Sequence, residues 1–279
     1  MNDLQMALIA KHLKTRWMGR DIELLETVDS TQNKARALAA LGRPDGTLVL
    51  AENQSAGRGQ QERRWESPSG GLWASLILKP KFPANEFARF GLVSSLAIAN
   101  SIEELLNVSC AVKWPNDVWL TELRETPSQK KVCGILLESE IPAGTPTEIP
   151  AGTPAEKNNL LILGIGINVH NSIPENLRNN AISLDAVAAK KVDRSQLCAH
   201  ILNRLENYFE LFEESGFAPF YDEYSKKCLW KGETVLLQEG TQLRQGRFKE
   251  ITPNGAIVLE ERNGNANPFV AGEISLRKN

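Results

Sequence analysis

Cysteine and histidine are scarce in this sequence, and neither residue type forms a cluster. The 279 residues contain four cysteines and three histidines, with no Cys-x-x-Cys pair and no metal-ligand spacing among them. Disulfide frameworks and zinc sites need such clusters. The sequence therefore excludes a site of that kind and predicts reduced, mostly buried thiols in a cytoplasmic protein.

Long apolar runs and a strong net charge are also missing. No run reaches the ~20 apolar residues that a membrane-spanning helix requires. The N-terminal stretch, which contains Leu4, Leu8 and Leu13, lacks the basic-then-apolar order of a signal peptide. The net charge is −2 and the pI is about 6.0, so no basic field favours DNA or an anionic membrane. We expect a protein that binds neither.

Common catalytic and nucleotide-binding motifs are absent as well. No Gly-Lys-Ser/Thr phosphate loop occurs, no Ser/His/Asp or Cys/His triad suggests itself, and Gly164-Ile165-Gly166 lacks the third glycine of a dinucleotide fingerprint. What remains is a set of cations near glycines, namely Arg58, Arg63, Arg64, Lys113 and Lys131. One such cation is usually a solvated surface charge. A converging set suits electrostatic catalysis on a phosphate or a carboxylate.

The apolar pattern predicts a mixed α+β domain over residues 1–227. The predicted strands are 22–28, 46–51, 72–78, 132–138 and 159–169, and the predicted helices are 33–41, 85–107 and 195–213. A duplicated Pro/Gly-rich octad over 140–155 predicts a mobile hairpin tip. From about residue 228 the pattern changes to short β-runs at 234–238, 245–251, 256–260 and 273–276. These runs predict a small all-β barrel over 228–279.

One stretch, residues 57–68, combines two glycines, three arginines and Trp65. Glycine allows a sharp turn and a close approach to a ligand, and the arginine guanidinium suits phosphate or carboxylate. A solvated surface loop with a buried tryptophan explains the stretch about as well. We call residues 57–68 the flap.

Seven motifs in order resemble the biotin–protein ligases, also called biotin–[acetyl-CoA-carboxylase] ligases. They are Asp29-Ser30-Thr31, Gln54 with 57–59, 63–68, 113–117, 131–138, 164–168 and 272–277. Each motif is weak alone, whereas the ordered set spans residues 22–277 and is specific. The resemblance implies a mixed β-sheet with flanking helices, of the class II synthetase-like biotin/lipoate ligase type, followed by an SH3-like barrel.

The same resemblance implies a two-step reaction. Biotin and ATP give biotinyl-5′-AMP and pyrophosphate, and the biotinyl group then passes to one lysine of a biotin carboxyl carrier domain. Both nucleophiles belong to the substrates, which agrees with the missing triad. Mg²⁺ is expected with ATP, and Asp117 is expected to help position it.

Residue roles follow from the matching positions. The resemblance assigns biotin to Ser30, Thr31, Gln32, Gln54, Arg58, Gly59, Gln60 and Lys131, over a floor free of side chains at Gly134, Gly164 and Gly166. It assigns ATP to Arg58, Arg63, Trp65, Lys113, Asn116, Lys131, Asn168, Glu273 and Arg277. Arg58, Lys113 and Lys131 are the expected catalytic cations.

Three departures from the family pattern are visible. Many members have Arg at Gln60 and Gly at Glu62, so this flap is less cationic and we expect weaker retention of the adenylate. Many also have an aromatic residue near Ala181 that stacks on adenine. Bifunctional members carry an N-terminal winged helix of about sixty residues, whereas some twenty residues precede the first strand here. We expect no operator binding.

Other readings stay open at this level. A lipoate–protein ligase or octanoyltransferase shares the catalytic fold but lacks this combination of the flap with Lys113–Asp117. A non-catalytic relative that binds biotin or a carrier domain would also fit the altered flap. A homodimer through an exposed edge strand is possible, as in some relatives.

Overall fold

The structure is a computed structural model that describes residues 3–60, 63–121, 129–140, 159–271 and 274–278. Nearly all of the octad repeat, together with Glu62 and Glu273, lies outside the described residues. Within the described residues, no helix is long and apolar enough to cross a membrane.

Seven strands form the first sheet. They are β1 (Ile22–Val28), β2 (Leu48–Gln54), β3 (Leu72–Leu78), β4 (Cys110–Lys113), β5 (Asp117–Leu120), β6 (Lys130–Glu140) and β7 (Leu160–Ile167). Their order across the sheet is β1-β2-β3-β7-β6-β5-β4. The β1–β2 pair is parallel and the other neighbouring pairs are antiparallel. β7 is the middle strand, as its unbroken apolar run predicts.

In the part of the chain that the structure describes, five α-helices accompany this sheet. They are α1 (Met6–His12), α2 (Thr31–Ala40), α3 (Phe87–Leu106), α4 (Arg194–Ser215) and α5 (Tyr221–Lys227). The main core contains alternate residues of the central strands together with side chains of α3 and α4, such as Phe90 and Phe212, whose rings lie 5.6 Å apart. On the opposite face, Val49, Ile77 and Ile162 pack against α2. The sequence did not predict α5, which is only two turns long.

The predicted helix 33–41 begins two residues earlier in the structure, at Thr31, and this start matters for the site. Ser30 caps the helix, because its Oγ accepts a hydrogen bond of 3.2 Å from the backbone N–H of Gln32. α2 covers only one end of its sheet face. The glycines of β7 and β6, Gly164, Gly166 and Gly134, continue that face beyond the helix, because side chains alternate between the two faces of a sheet.

The second sheet follows α5. Its strands are β8 (Thr234–Glu239), β9 (Gln242–Ile251), β10 (Ile257–Glu260), β11 (Ala266–Phe269) and β12 (Ile274–Lys278). All neighbours are antiparallel in the order β11-β10-β9-β8-β12. The sequence missed β11, because Pro268 argues against a strand. Proline is tolerated there because β11 lies at the edge of the sheet.

The two sheets are joined by a common apolar cluster and by Trp114. Its indole Nε1 donates a 3.1 Å hydrogen bond to the carbonyl of Gly255 in the β9–β10 turn. Gly255 has φ +77°, and a Cβ there would lie 2.6 Å from Leu92, so this turn requires glycine. Val235 and Phe248 belong to the same buried cluster as α3. Leu276 and Arg277 of β12 line a cavity that residues of the first sheet also line.

Candidate active site

A cavity of about 890 Å³ opens on the glycine-containing face of the first sheet. Cavities of this size accommodate cofactor-sized ligands. Every residue assigned to biotin, ATP or metal by the resemblance lines it, except Glu273, which lies outside the described residues. They are Ser30, Thr31, Gln32, Gln54, Arg58, Gly59, Gln60, Arg63, Trp65, Lys113, Asn116, Asp117, Lys131, Gly134, Gly164, Gly166, Asn168 and Arg277.

The side-chain amide of Gln32 has a defined orientation. Its Nε2 lies 3.0 Å from Glu138 Oε2 and 3.5 Å from the carbonyl oxygen of Ile162. Both of these groups are acceptors, so the NH₂ end must face them. Oε1 therefore points to Gly164, where it is buried and has no hydrogen-bond donor in the described part of the chain. A ligand in the cavity can supply that donor.

Unlike Gln32, Gln54 has hydrogen-bond partners at both ends of its side-chain amide. Its Oε1 accepts hydrogen bonds from the backbone N–H (2.8 Å) and the hydroxyl (3.1 Å) of Thr31. Its Nε2 donates to Ser67 Oγ at 2.8 Å, and Ser75 donates to the Thr31 hydroxyl at 2.9 Å. Gln54 thus fastens the flap to the first turn of α2.

The flap is closed on itself by backbone hydrogen bonds. Trp65 N–H donates to the Gly57 carbonyl at 2.9 Å, and Gly59 N–H donates to the Arg63 carbonyl at 2.7 Å. A Cβ on Gly57 would lie 2.4 Å from the carbonyl oxygen of Trp65, so the fold of the flap requires glycine at position 57. The flap is therefore a shaped loop that holds Trp65 over the sheet.

Trp65 lies directly on the glycines of the sheet. A Cβ on Gly166 would come within 2.7 Å of its Nε1, and a Cβ on Gly134 within 2.9 Å of its ring. In this structure Gly134 and Gly166 accommodate Trp65, and Gly164 accommodates Gln32, while the assignment of these glycines to biotin remains a prediction. The accommodation is steric, since an indole can rest on a strand only where no Cβ projects. Trp65 Nε1 is buried and has no acceptor among the described residues.

The two cavity lysines share one carboxylate. Lys131 Nζ lies 2.7 Å from Asp117 Oδ1, and Lys113 Nζ lies 3.4 Å from Asp117 Oδ2. Burial acts to raise the pKa of Asp117, but the charges of Lys131 and Lys113 outweigh it and lower that pKa below its usual value. Burial lowers the pKa of Lys113, against the opposing effect of Asp117. A compact, positively charged cluster results.

Arg58 makes different contacts from the lysines. Its Nη2 lies 2.8 Å from Glu138 Oε1, and its Nη1 donates to Asn33 Oδ1 at 3.2 Å. The Arg58 side chain is 40% exposed, and Arg58 lines the cavity. In this structure Arg58 thus joins the flap to β6 and α2.

The residues around Asp117 do not fit a metal ion held by the protein. Both of its carboxylate oxygens already face lysine ammonium groups, and cations repel one another. No group of three or more His, Cys, Asp or Glu suited to a metal ion occurs in the described parts of the chain. Mg²⁺ brought in with ATP remains an expectation.

The asparagines of the predicted nucleotide end are held in place by the sheet. Asn116 Nδ2 donates to the carbonyl of Ile135 on β6. Asn168 is buried, and its Oδ1 accepts a 3.0 Å hydrogen bond from Asn171. Ala181 lies beside β6, where the carbonyl of the preceding residue, Asn180, accepts the Lys131 N–H at 2.8 Å.

Aromatic surface at this end of the cavity comes from residues that the sequence did not single out. Trp119 of β5 and Trp230 line it, in an edge-to-face pair with centroids 5.4 Å apart. Lys113 Nζ lies 5.7 and 5.8 Å from the two rings, within the range of cation–π attraction. Trp230 donates to Gln129 Oε1 at 3.0 Å. No sequence signal connected Trp230 with Trp119, because 111 positions separate them in the numbering.

Glu138 was also missed, although a signal was present. It ends the motif 131–138, and in β6 it lies on the same face as Gly134, four positions earlier. Period-two alternation therefore places its carboxylate on the cavity side of the sheet.

Comparison with known proteins identifies the family. The model of the biotin/lipoate A/B protein ligase family matches residues 24–150. The bifunctional ligase/repressor BirA of Bacillus subtilis is 34% identical over 266 residues, which cover 90% of this chain and 73% of BirA. The biotin protein ligase of Aquifex aeolicus, solved in complex with biotin and ATP, superposes with a TM-score of 0.76 at 30% identity, covering 93% of this chain and all of that one. The chain belongs to the biotin–protein ligases.

Further biotin–protein ligases support this assignment. The biotin–[acetyl-CoA-carboxylase] ligase of Paracoccus denitrificans is 28% identical over 246 residues, which cover 85% of this chain and 92% of that one. The predicted family and fold class are confirmed, and the antiparallel second sheet is consistent with the expected SH3-like barrel. The domain boundary at 227/228 and the individual residue roles remain predictions.

Proposed function

We propose that this chain joins biotin to ATP and transfers the biotinyl group to a lysine of a biotin carboxyl carrier domain. The observation that carries the proposal is the buried Oε1 of Gln32 above Gly164, which has no hydrogen-bond donor among the described residues. It lies at the end of the cavity that also contains Ser30 and Thr31. This end is polar, and it requires a ligand with a hydrogen-bond donor.

Biotin satisfies that requirement better than the substrates of the lipoate branch of the family. The ureido ring of biotin carries two N–H donors, whereas a lipoyl dithiolane or an octanoyl chain carries none. Either of those groups would leave Oε1 of Gln32 buried without a donor, which costs about 1–3 kcal/mol. Sites built around a hydrogen bond reject analogues that lack the bonding group. The cavity therefore favours biotin.

The first step brings anions together. An oxygen of the biotin carboxylate attacks the α-phosphorus of ATP, the P–O bond to the β-phosphate breaks, and pyrophosphate leaves. Lys131 and Lys113 supply fixed positive charge for the phosphate oxygens, and Asp117 holds both ammonium groups in position beforehand. Such preorganised charge stabilises a transition state without reorganisation during the reaction. The chief contributions are positioning and electrostatics.

The second step uses the amine of the acceptor lysine. The amine attacks the acyl carbon of biotinyl-5′-AMP, the acyl–phosphate bond breaks, AMP leaves, and the amine loses a proton. A covalent enzyme intermediate on cysteine is disfavoured, because burial raises the pKa of Cys110 and of Cys198 to about 12. The flap excludes water from the mixed anhydride.

Pyrophosphate release tests the proposal directly. We expect release that requires both biotin and ATP, followed by biotin incorporation into a carrier domain, and no turnover with lipoate or octanoate. Lys131→Ala should abolish release. The adjacent Lys130→Ala is the matched control, since its ammonium is bonded to the carbonyl of Arg178. Biotin binding without pyrophosphate release would identify a non-catalytic binder, and turnover of lipoate would contradict the assigned substrate.

A further inference from the structure

Glu138 lies beside the cavity and contacts two residues assigned to substrate binding, Gln32 and Arg58. Its Oε2 accepts the hydrogen bond from Gln32 Nε2 at 3.0 Å, and its Oε1 lies 2.8 Å from Arg58 Nη2. Arg36 Nη2 lies 3.3 Å from Oε2 on the outer side. The side chain of Glu138 is 18% exposed, and Glu138 is missing from the described residues that line the cavity. It can therefore act on a ligand only through its neighbours.

The contact with Gln32 decides which end of that amide faces the ligand. A glutamine amide has a donor end and an acceptor end of nearly equal size, and rotation by half a turn exchanges them. An ionised carboxylate only accepts hydrogen bonds. With Oε1 turned towards Glu138, two oxygens would oppose each other, and the NH₂ group would face Gly164. The contact to the Ile162 carbonyl, at 3.5 Å, is too long to set the orientation by itself.

We propose that Glu138 is a positioning residue for biotin recognition, because it fixes the amide of Gln32 with its acceptor towards the N–H of the ureido ring. The inference rests on the proposed function, in which biotin occupies the polar end of the cavity. It adds a reason for the choice of substrate: Glu138 determines that this position accepts a hydrogen bond and does not donate one.

Glu138→Gln tests this polarity. The variant keeps the size of the side chain but can donate as well as accept, so Gln32 is free to present either end. We expect the KM for biotin in pyrophosphate release to rise about tenfold or more, with the KM for ATP changed less than about twofold. A KM for biotin that stays unchanged, or a KM for ATP that rises equally, would overturn the inference.

A double variant tests whether Glu138 acts by orienting the amide of Gln32 or only by supporting the local structure. In Gln32→Glu combined with Glu138→Gln, residue 138 donates to the new carboxylate, whose second oxygen again offers an acceptor to the ligand. The KM for biotin should return towards the wild-type value. Failure of this rescue would show that the orientation of the amide is not what Glu138 contributes.

Arg36→Gln is the matched control for the ion pairs. It removes a cation from Glu138 without removing the acceptor for Gln32, so its KM for biotin should stay within about twofold of wild type. An increase as large as that of E138Q would show that the effect comes from the lost charge, and it would overturn the proposal.

If E138Q does not fold, the same comparison can be made between Glu138→Asp and Glu138→Asn. The Asn variant should have the higher KM, and equal values would overturn the proposal. Wild-type protein without biotin-dependent pyrophosphate release would refute the proposed function instead.

Discussion

Lys131 and Asp117 form a partly buried ion pair in the cavity, with 2.7 Å between Nζ and Oδ1. Asp117→Asn would leave Lys131 and Lys113 facing each other without their common counter-charge. Removing the shared carboxylate should cost less than the roughly 3–5 kcal/mol of a fully buried pair, and we expect lower stability in urea unfolding and slower pyrophosphate release. The exposed Asp222→Asn is a control of the same chemistry.

Asp117→Asn also distinguishes a role of Asp117 as counter-charge to Lys113 from a role as a Mg²⁺ ligand. Since its charge raises the pKa of Lys113, its removal should lower that pKa further and shift the alkaline limb of the pH–rate profile to lower pH. The Mg²⁺ concentration that gives half-maximal activity should stay the same, because Asp117 is bonded to lysines. A large increase in that concentration would restore the original expectation of a metal ligand.

Alanine substitutions at the two glycines of β7 should affect the KM values for the two substrates differently. In Gly164→Ala the new Cβ would lie 2.9 Å from Gln32 Oε1, so we expect a higher KM for biotin. In Gly166→Ala it would lie 2.7 Å from Trp65 Nε1, so we expect displacement of the indole and a higher KM for ATP. Initial-rate measurements with each substrate varied in turn distinguish the two effects, and each variant serves as the control for the other. Identical changes in both KM values would contradict the assignment.

Gln60 is the flap position at which many relatives have arginine, and it lines the cavity. Gln60→Arg should slow the release of biotinyl-5′-AMP about tenfold, because a hydrogen bond from a charged donor contributes about 1.5–3 kcal/mol. Release can be followed as biotinylation of free amines in the absence of a carrier domain. Equal release rates for the variant and the wild type would refute weak adenylate retention at this position.

Asp3 ties the N-terminal segment to α4. Burial acts to raise its pKa, but hydrogen bonds from Arg194 and His170 hold that pKa well below the usual 3.8. A depressed carboxyl pKa stabilises the fold above the unfolded value, and this stabilisation is lost as the pH falls towards the folded value. Asp3→Asn should therefore lower the free energy of unfolding near pH 7 and narrow its difference from wild type below about pH 4. A constant difference over that range would contradict the linkage.

Local chemistry in the sequence was enough to predict most elements and the family. The apolar run of β7 placed it at the centre of the sheet, and the predicted helix 85–107 corresponds closely to α3. These features depend on neighbours in the chain, where propensity and periodicity act directly. The ordered motifs named the family, because their spacing is itself a property of the sequence.

Which atoms remain unpaired was decided only by the tertiary structure. Gln32 and Glu138 are 106 residues apart. Their contact arises because α2 packs against β7, the strand beside β6, and it leaves Oε1 of Gln32 without a donor among the described residues. Likewise, the glycines that looked like an empty floor are covered by Trp65 and Gln32, since a missing Cβ creates room without specifying what fills it. The composition of the flap is visible in the sequence, but its orientation depends on long-range contacts. Gln54 holds the flap to α2, and Arg58 forms an ion pair with Glu138.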